Sequence, residues 1–220
     1  MGRNRLLWSC GQGAYIWAVA ILDAVVRFLI GALLGLAALP WCLDLLLDAV
    51  RAHQHAPQDP WSVAIGAALG LAMVLIGRPN WFVHTLIHEL CHAILCWMLF
   101  VRVRSFHISD GEGGFVKHDS PDVVRGTCIL IAPYTLPLLL APALLARMWY
   151  HEPSPLRLGL SGLCAFLFIT HLVGLWRNVV TNFWGGEGDL AKVGRFLALV
   201  LIVGLLMLVC AWTLTTLWSR

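Results

Sequence analysis

Long apolar windows separated by shorter polar stretches run along the whole chain. A helix that crosses a bilayer needs roughly 20 mainly apolar residues. The windows that qualify are 14–40, 61–77, 81–101, 126–149, 158–176 and 196–218. This pattern predicts an all-α membrane protein with about six transmembrane helices, folded as a single multi-pass domain over residues 1–220.

The hydrophobic period changes directly after the third window, in the sequence VRVRSFHISDGEGGFVKHD at 101–119. Val101, Val103 and Phe106 alternate imperfectly with Arg102 and Arg104, and DGEGG is a turn signal. We expect a short β-hairpin at the membrane face here, and a plain surface loop is the alternative.

Two later stretches predict breaks in helices. Pro133, Pro137 and Pro142 lie within the fourth window, and each removes one intrahelical hydrogen bond. Glycines at 185, 186 and 188 precede Asp189, which is suited to capping the last helix.

Composition agrees with an integral membrane protein. Hydrophobic residues make up 60% of the chain and charged residues 12%, against about 25% charged residues in soluble domains. The net charge of +3 is small and scattered, which argues against a nucleic-acid partner. The seven cysteines form no CxxC pair and are interpreted as small buried hydrophobic residues. The N-terminal apolar run has no cleavage pattern and is expected to remain as the first helix.

The sequence HELCH at 88–92 fits the H-E-x-x-H pattern inside a hydrophobic helix. His88 and His92 project from one helical face, so both imidazoles can bind one Zn²⁺. Glu89, which is not a ligand in this pattern, is placed to take a proton from a water molecule that the metal activates. His84 lies one turn earlier on the same face and is interpreted as a supporting or packing residue.

The energetic cost of these side chains favours a functional interpretation. A charge in the middle of a membrane helix costs about 2.5–3.5 kcal/mol on insertion scales, and such residues usually mark function. With nine His and four Glu in the chain, an accidental match to the pattern has a probability of roughly 0.007. Histidines that only bond neighbouring helices, without a metal, are the alternative.

A catalytic zinc usually has three protein ligands, and the third must come from elsewhere in the chain. The candidates are Asp189, His171, Glu187 and Asp23. Asp23 has Arg27 four residues later and is better explained by an intramembrane ion pair. Spacing alone does not rank Asp189 far above His171.

Over residues 81–200 the chain resembles the site-2 protease group of intramembrane zinc metalloproteases. The resemblance is carried by HELCHAI in a hydrophobic helix, the β-like segment after it, and a downstream Asn and Asp before another hydrophobic helix. It implies that Asp189 is the third zinc ligand and that Asn182 assists at the active site. No Pro precedes Asp189 and Leu190 follows it, so GGEGDL resembles the divergent zincin relatives of the group.

These features predict a zinc-dependent endopeptidase that cleaves a peptide bond in or near a transmembrane segment of a membrane-protein substrate. We expect the protein to lie in the lipid bilayer of a bacterial cell membrane. For Asp189 to reach His88, the segment 178–195 must re-enter the membrane or the neighbouring helix must unwind. A non-catalytic protein with a structural or regulatory zinc site is the alternative, followed by a haem protein that uses His92 and His171.

Overall fold

The computed structural model describes residues 3–52, 57, 59–77, 80–109, 113–150, 152–185 and 188–218, with side chains from residue 17 onward. Within these ranges the chain forms eight helices and two strands. The elements are α1 Arg3–Ala52, α2 Pro60–Ile76, α3 Trp81–Met98, β1 Val103–Ser109, β2 Gly113–His118, α4 Val123–Thr135, α5 Leu140–Trp149, α6 Pro155–Phe183, α7 Asp189–Val193 and α8 Arg195–Trp218. The predicted helical membrane fold with a short β segment is therefore confirmed in outline.

Among the described residues, three helices are long and apolar enough to cross a membrane by themselves. They are α6, α8 and the part of α1 from Trp17 to Ala52. The pairs α2 with α3 and α4 with α5 pass the same test only together, with bends of 116° and 75°. The chain thus has three to five candidate spans, and the predicted number of about six is not confirmed. Two of the predicted windows are too short or too polar to qualify singly, because α2 has only 17 residues and α3 carries the polar HELCH segment.

The bend between α4 and α5 follows from the prolines. Leu136, directly before Pro137, has the extended backbone (φ −85°, ψ 111°) that a following proline favours. The helix therefore ends there and resumes at Leu140. The predicted break in this window is confirmed.

The two strands pair antiparallel, with Val103 opposite His118 and Ser109 opposite Gly113. At the base of the pair, the Arg104 guanidinium bonds the Asp119 carboxylate through Nε and Oδ1 at 2.5 Å and through Nη2 and Oδ2 at 3.2 Å. The hydrogen bond from Arg104 lowers the pKa of Asp119, so this carboxylate stays ionised to a lower pH than an ordinary aspartate. The predicted turn residues 110–112 lie outside the described residues.

Helices α2 and α6 pack with almost no space between their backbones. A Cβ added to Gly66 would lie 1.9 Å from the carbonyl oxygen of Gly162. Small residues allow this close approach in membrane helices, where packing replaces the hydrophobic drive for association. One end of the same helix pair is closed by polar contacts, since Asp59 Oδ2 bonds Ser161 Oγ at 2.8 Å and Arg157 Nε at 3.2 Å.

We predict that Gly66→Ala lowers the free energy of unfolding by about 1–3 kcal/mol, the usual cost of overpacking a close contact. The added methyl group would force the two helices apart. Thermal unfolding of the purified protein in detergent measures the effect. Gly174→Ala in α6 is the matched control, because a Cβ there meets nothing within 4 Å; equal stability of the two variants would contradict the prediction.

Candidate metal centre

Helix α3 presents the HELCH residues towards the inside of the bundle. The Asn80 side chain accepts a hydrogen bond from the Val83 amide and so caps the start of the helix. Two turns later, Glu89 and His92 are buried, with 7% and 8% of their surface exposed. The rings of His88 and His92 meet edge-on with centroids 5.1 Å apart, so both lie on one face of the helix as the four-residue spacing predicts.

Asp189, the first residue of α7, reaches both imidazoles. Its Oδ2 atom lies 3.4 Å from Nε2 of His88 and 3.4 Å from Nε2 of His92. Among the described residues these three form the one group of three or more His, Cys, Asp or Glu side chains able to hold a metal ion, with ligand atoms within 4.8 Å of one another. The structure therefore brings together the three residues proposed as ligands from the sequence.

The donor set and its spacing suit zinc. Two imidazole nitrogens and one carboxylate oxygen form a common catalytic zinc set that leaves a fourth position open. Bonds of ~2.0–2.1 Å in tetrahedral geometry place ligand atoms about 3.3 Å apart, and the two contacts of 3.4 Å match that separation. The residues present fit a zinc ion.

His92 is oriented by a carbonyl that a proline leaves free. Pro133 lies inside α4 and has no N–H, so the Ile129 carbonyl four residues earlier lacks its usual helical donor. That carbonyl lies 2.7 Å from Nδ1 of His92. Because a carbonyl only accepts, Nδ1 carries the proton and the lone pair is left on Nε2, which faces Asp189. The proline thus fixes the tautomer that a metal ligand needs.

Glu89 lies beside this group and beneath strand β2. A Cβ on Gly114 would lie 2.7 Å from Cγ of Glu89 and 2.9 Å from Cγ2 of Thr85. Only a glycine lets the strand backbone approach α3 this closely. The Glu89 carboxylate also interacts electrostatically with His92, His88 and Asp189, so it belongs to the same site.

Tyr134 of α4 forms another wall of the site. Its ring meets His88 edge-on with centroids 5.8 Å apart, and the residue is 1% exposed. Its buried hydroxyl has no hydrogen-bond partner among the described residues. The Tyr134 ring therefore packs against His88, and its hydroxyl is a buried polar group beside the site.

Two asparagines on α6 lie between α4 and the start of α7. Asn182, predicted to assist at the site, donates through Nδ2 to the Asn178 carbonyl at 3.0 Å and lies next to Gly188. Asn178 is buried and donates to the Pro133 carbonyl at 3.4 Å. Asn182 thus flanks the turn that leads to Asp189, whereas Asn178 contacts the proline segment behind His92.

The other candidates from the sequence lie apart from the group. Asp23 pairs with Arg27 at 2.8 Å, as predicted. His171 is not a member of the group of ligand atoms among the described residues, and Glu187 lies outside those residues. His84 meets the ring of Trp81 at 6.0 Å and is not in the group either.

Sequence reasoning missed Pro133, Tyr134, Asn178 and Gly114 as residues of the site. The prolines did predict carbonyls without helical donors, but the side chains that contact these carbonyls come from distant parts of the chain. Asn178 stands four residues before Asn182, a helical spacing that places both on one face. Tyr134 and Gly114 carry no comparable signal in the sequence.

We predict that Pro133→Ala weakens zinc binding about tenfold, the lower end of the effect of losing a partner of a metal-bound histidine. The new amide would compete with His92 for the Ile129 carbonyl. Equilibrium zinc titration against a chelator measures the affinity. Pro142→Ala in α5 is the control, and equal affinities of the two variants would refute the role given to Pro133.

Comparison with known proteins places this geometry in a family. The family model described as Peptidase M50B-like matches residues 61–219, well over half of the chain. No curated protein and no solved structure matches the chain. The resemblance noted in the sequence is confirmed: the chain belongs to the Peptidase M50B-like family of site-2 protease-like membrane metallopeptidases.

Proposed function

We propose that this protein is a zinc-dependent intramembrane endopeptidase that hydrolyses a peptide bond in or near a transmembrane segment of a membrane-protein substrate. A bacterial cell membrane is its proposed location. The observation that carries the proposal is the convergence of His88, His92 and Asp189 beside a buried Glu89. Burying four ionisable side chains among apolar helices is costly, and shared binding of a cation offsets that cost.

The three ligand residues come from two elements and fix the position of the ion. His88 and His92 present Nε2, and Asp189 presents Oδ2 from the other side. Zinc, when bound there, supplies Lewis acidity towards water and towards the scissile carbonyl.

Glu89 is proposed as the general base. Its carboxylate takes a proton from the attacking water as the water oxygen bonds the carbonyl carbon. The same proton then passes to the amide nitrogen as the C–N bond breaks, which gives a free amine and a carboxylic acid, and the acid then loses its proton to the amine or to solvent. Glu89 is suited to this exchange because it lies beside both histidines but is not a member of the ligand group.

The hairpin is proposed to hold the substrate extended. A peptide bond in a transmembrane helix is hidden by its hydrogen bonds, so the helix must unwind before cleavage. Among the described residues the sheet has two strands, so each strand has one edge to which an extended peptide can add. Gly114 places strand β2 directly against Glu89, which would bring such a peptide next to the base.

We predict that Glu89→Gln abolishes cleavage, with a loss of about 10²–10⁴-fold, and keeps its zinc. The amide has the shape of the carboxylate but cannot accept the proton. A panel of transmembrane segments, each fused between two soluble domains, would be incubated with the purified protein, and zinc would be measured by elemental analysis. If the variant cleaves as well as wild type, or if wild type cleaves no segment and only retains zinc, the non-catalytic zinc protein becomes the better explanation.

We also predict that His88→Ala and Asp189→Ala each lose the zinc, whereas His171→Ala keeps it. The first two remove a ligand atom and the third removes a residue outside the group. Zinc content after dialysis against a weak chelator is the measurement. If Asp189→Ala retains zinc and His171→Ala loses it, His171 and not Asp189 is the third ligand. Visible haem absorbance of the purified protein would instead support the haem alternative.

A further inference from the structure

Helix α1 lies outside the part of the chain that matches the family, yet it carries an ion pair within its apolar length. The family match begins at residue 61, and α1 ends at Ala52. The part from Trp17 to Ala52 contains an 18-residue window with a mean hydropathy of 2.2. Placing the charges of Asp23 and Arg27 in such a helix costs free energy. A contact with another helix would offset this cost.

The packing of α1 on α8 shows where that contact lies. Gly31 contacts Phe196 and Leu197, Gly35 contacts Val200, and Gly204 contacts Leu39. The contacts advance together along both helices, so α1 and α8 run parallel. One turn before Gly31, this alignment places Arg27 at the junction of α7 and α8.

At this junction Arg27 bonds the end of α7. Its Nη1 donates to the Lys192 carbonyl at 2.5 Å, and its Nε donates to Asp23 Oδ2 at 2.8 Å. Gly194 lies directly beside this contact, since a Cβ there would be in van der Waals contact with the Arg27 side chain at 3.4 Å. Gly194 also has φ +95°, a conformation that side-chain-bearing residues rarely adopt.

Helix α7 needs such support because it has only five residues. A single turn leaves its last carbonyls without intrahelical donors and is not stable by itself. Leu190 and Val193 are fully buried in a cluster with Ile131, Tyr134 and Leu197. These apolar contacts hold α7 against the core, but they are non-directional. The bond at Lys192 is directional and so restrains rotation of the turn in a way that these apolar contacts do not. Such rotation would move the Asp189 carboxylate away from the histidines.

We infer that Arg27 is a positioning residue for the metal centre: oriented by Asp23, it bonds the Lys192 carbonyl and so holds α7 with Asp189 directed at His88 and His92. The inference rests on the proposed metal site. It makes α1 part of the functional unit although the family match leaves α1 out.

The test uses the full-length protein in detergent, titrated with Co²⁺, whose visible absorption reports the geometry of its ligands. The variant Asp23→Asn/Arg27→Met removes both charges and retains side-chain length, so no unpaired carboxylate is left in the membrane. Asp48→Asn/Arg51→Met is the matched control, because that ion pair lies on the same helix and both members are exposed. Size-exclusion chromatography checks that each variant is folded.

We expect the Asp23→Asn/Arg27→Met variant to bind Co²⁺ about 10- to 100-fold more weakly than wild type, with a less intense spectrum, and the control to match wild type. Arg27→Lys should be intermediate, because an ammonium reaches one acceptor well but does not reproduce the two-sided contact. Wild-type affinity and spectrum in either Arg27 variant would overturn the inference. Asp189→Ala distinguishes a failure of this inference from a failure of the metal site. If this variant also binds Co²⁺ like wild type, the metal site itself, and with it the proposed function, is wrong.

Discussion

The contact of Asp189 Oδ2 with Nε2 of both His88 and His92, at 3.4 Å each, joins two parts of the chain that are a hundred residues apart. A continuous helix from Pro155 to Trp218 would not bring a carboxylate inward at this level. The chain instead ends α6 at Phe183, inserts the one-turn α7 and restarts at Arg195. Gly188 lies against the Asn182 carbonyl on one side, and Gly194 takes a positive φ on the other. The break in the helix therefore accompanies the position of Asp189 next to the two histidines.

Helix-breaking residues also supply the acceptors that the site uses. Pro133 frees the Ile129 carbonyl for His92, and Pro137 provides no amide for the Pro133 carbonyl, which accepts from Asn178 instead. In a bilayer an unpaired backbone carbonyl costs several kcal/mol, so each freed carbonyl needs a donor. Here one of those donors is the imidazole of His92, a proposed metal ligand, which links the irregular shape of α4 to the proposed chemistry of α3.

The HELCH segment could be interpreted from the sequence because its information is local. Four residues make one helical turn, so His88 and His92 had to share a face. The β segment and the proline and glycine breaks were also readable, since period changes and missing amides act within a few residues. Spacing alone did not rank Asp189 far above His171 as the third ligand, because the return of the chain to α3 depends on tertiary structure. Only the family resemblance pointed to Asp189. The number of spans was not confirmed for a related reason: hydropathy windows measure composition and do not register a bend of 75° or 116° within an apolar stretch. The close approach of Gly114 to Glu89 depends on tertiary packing that no window contains.

Two arginines within the helices of this protein lie where several helices are held together. Arg147, 1% exposed, bonds Ser161 Oγ through Nε at 2.8 Å, and Asp59 joins the same cluster from the start of α2. Arg27 also contacts a second helix, at the place where α1 meets the end of α7. In both places a guanidinium contacts more than one element, which a single point charge does less well. Apolar contacts between membrane helices fix distance more than rotation, so a metal centre assembled from two helices needs directional bonds to keep its ligands aligned. The cost of placing Arg27 in an apolar helix is therefore best explained by the precision that Asp189 requires.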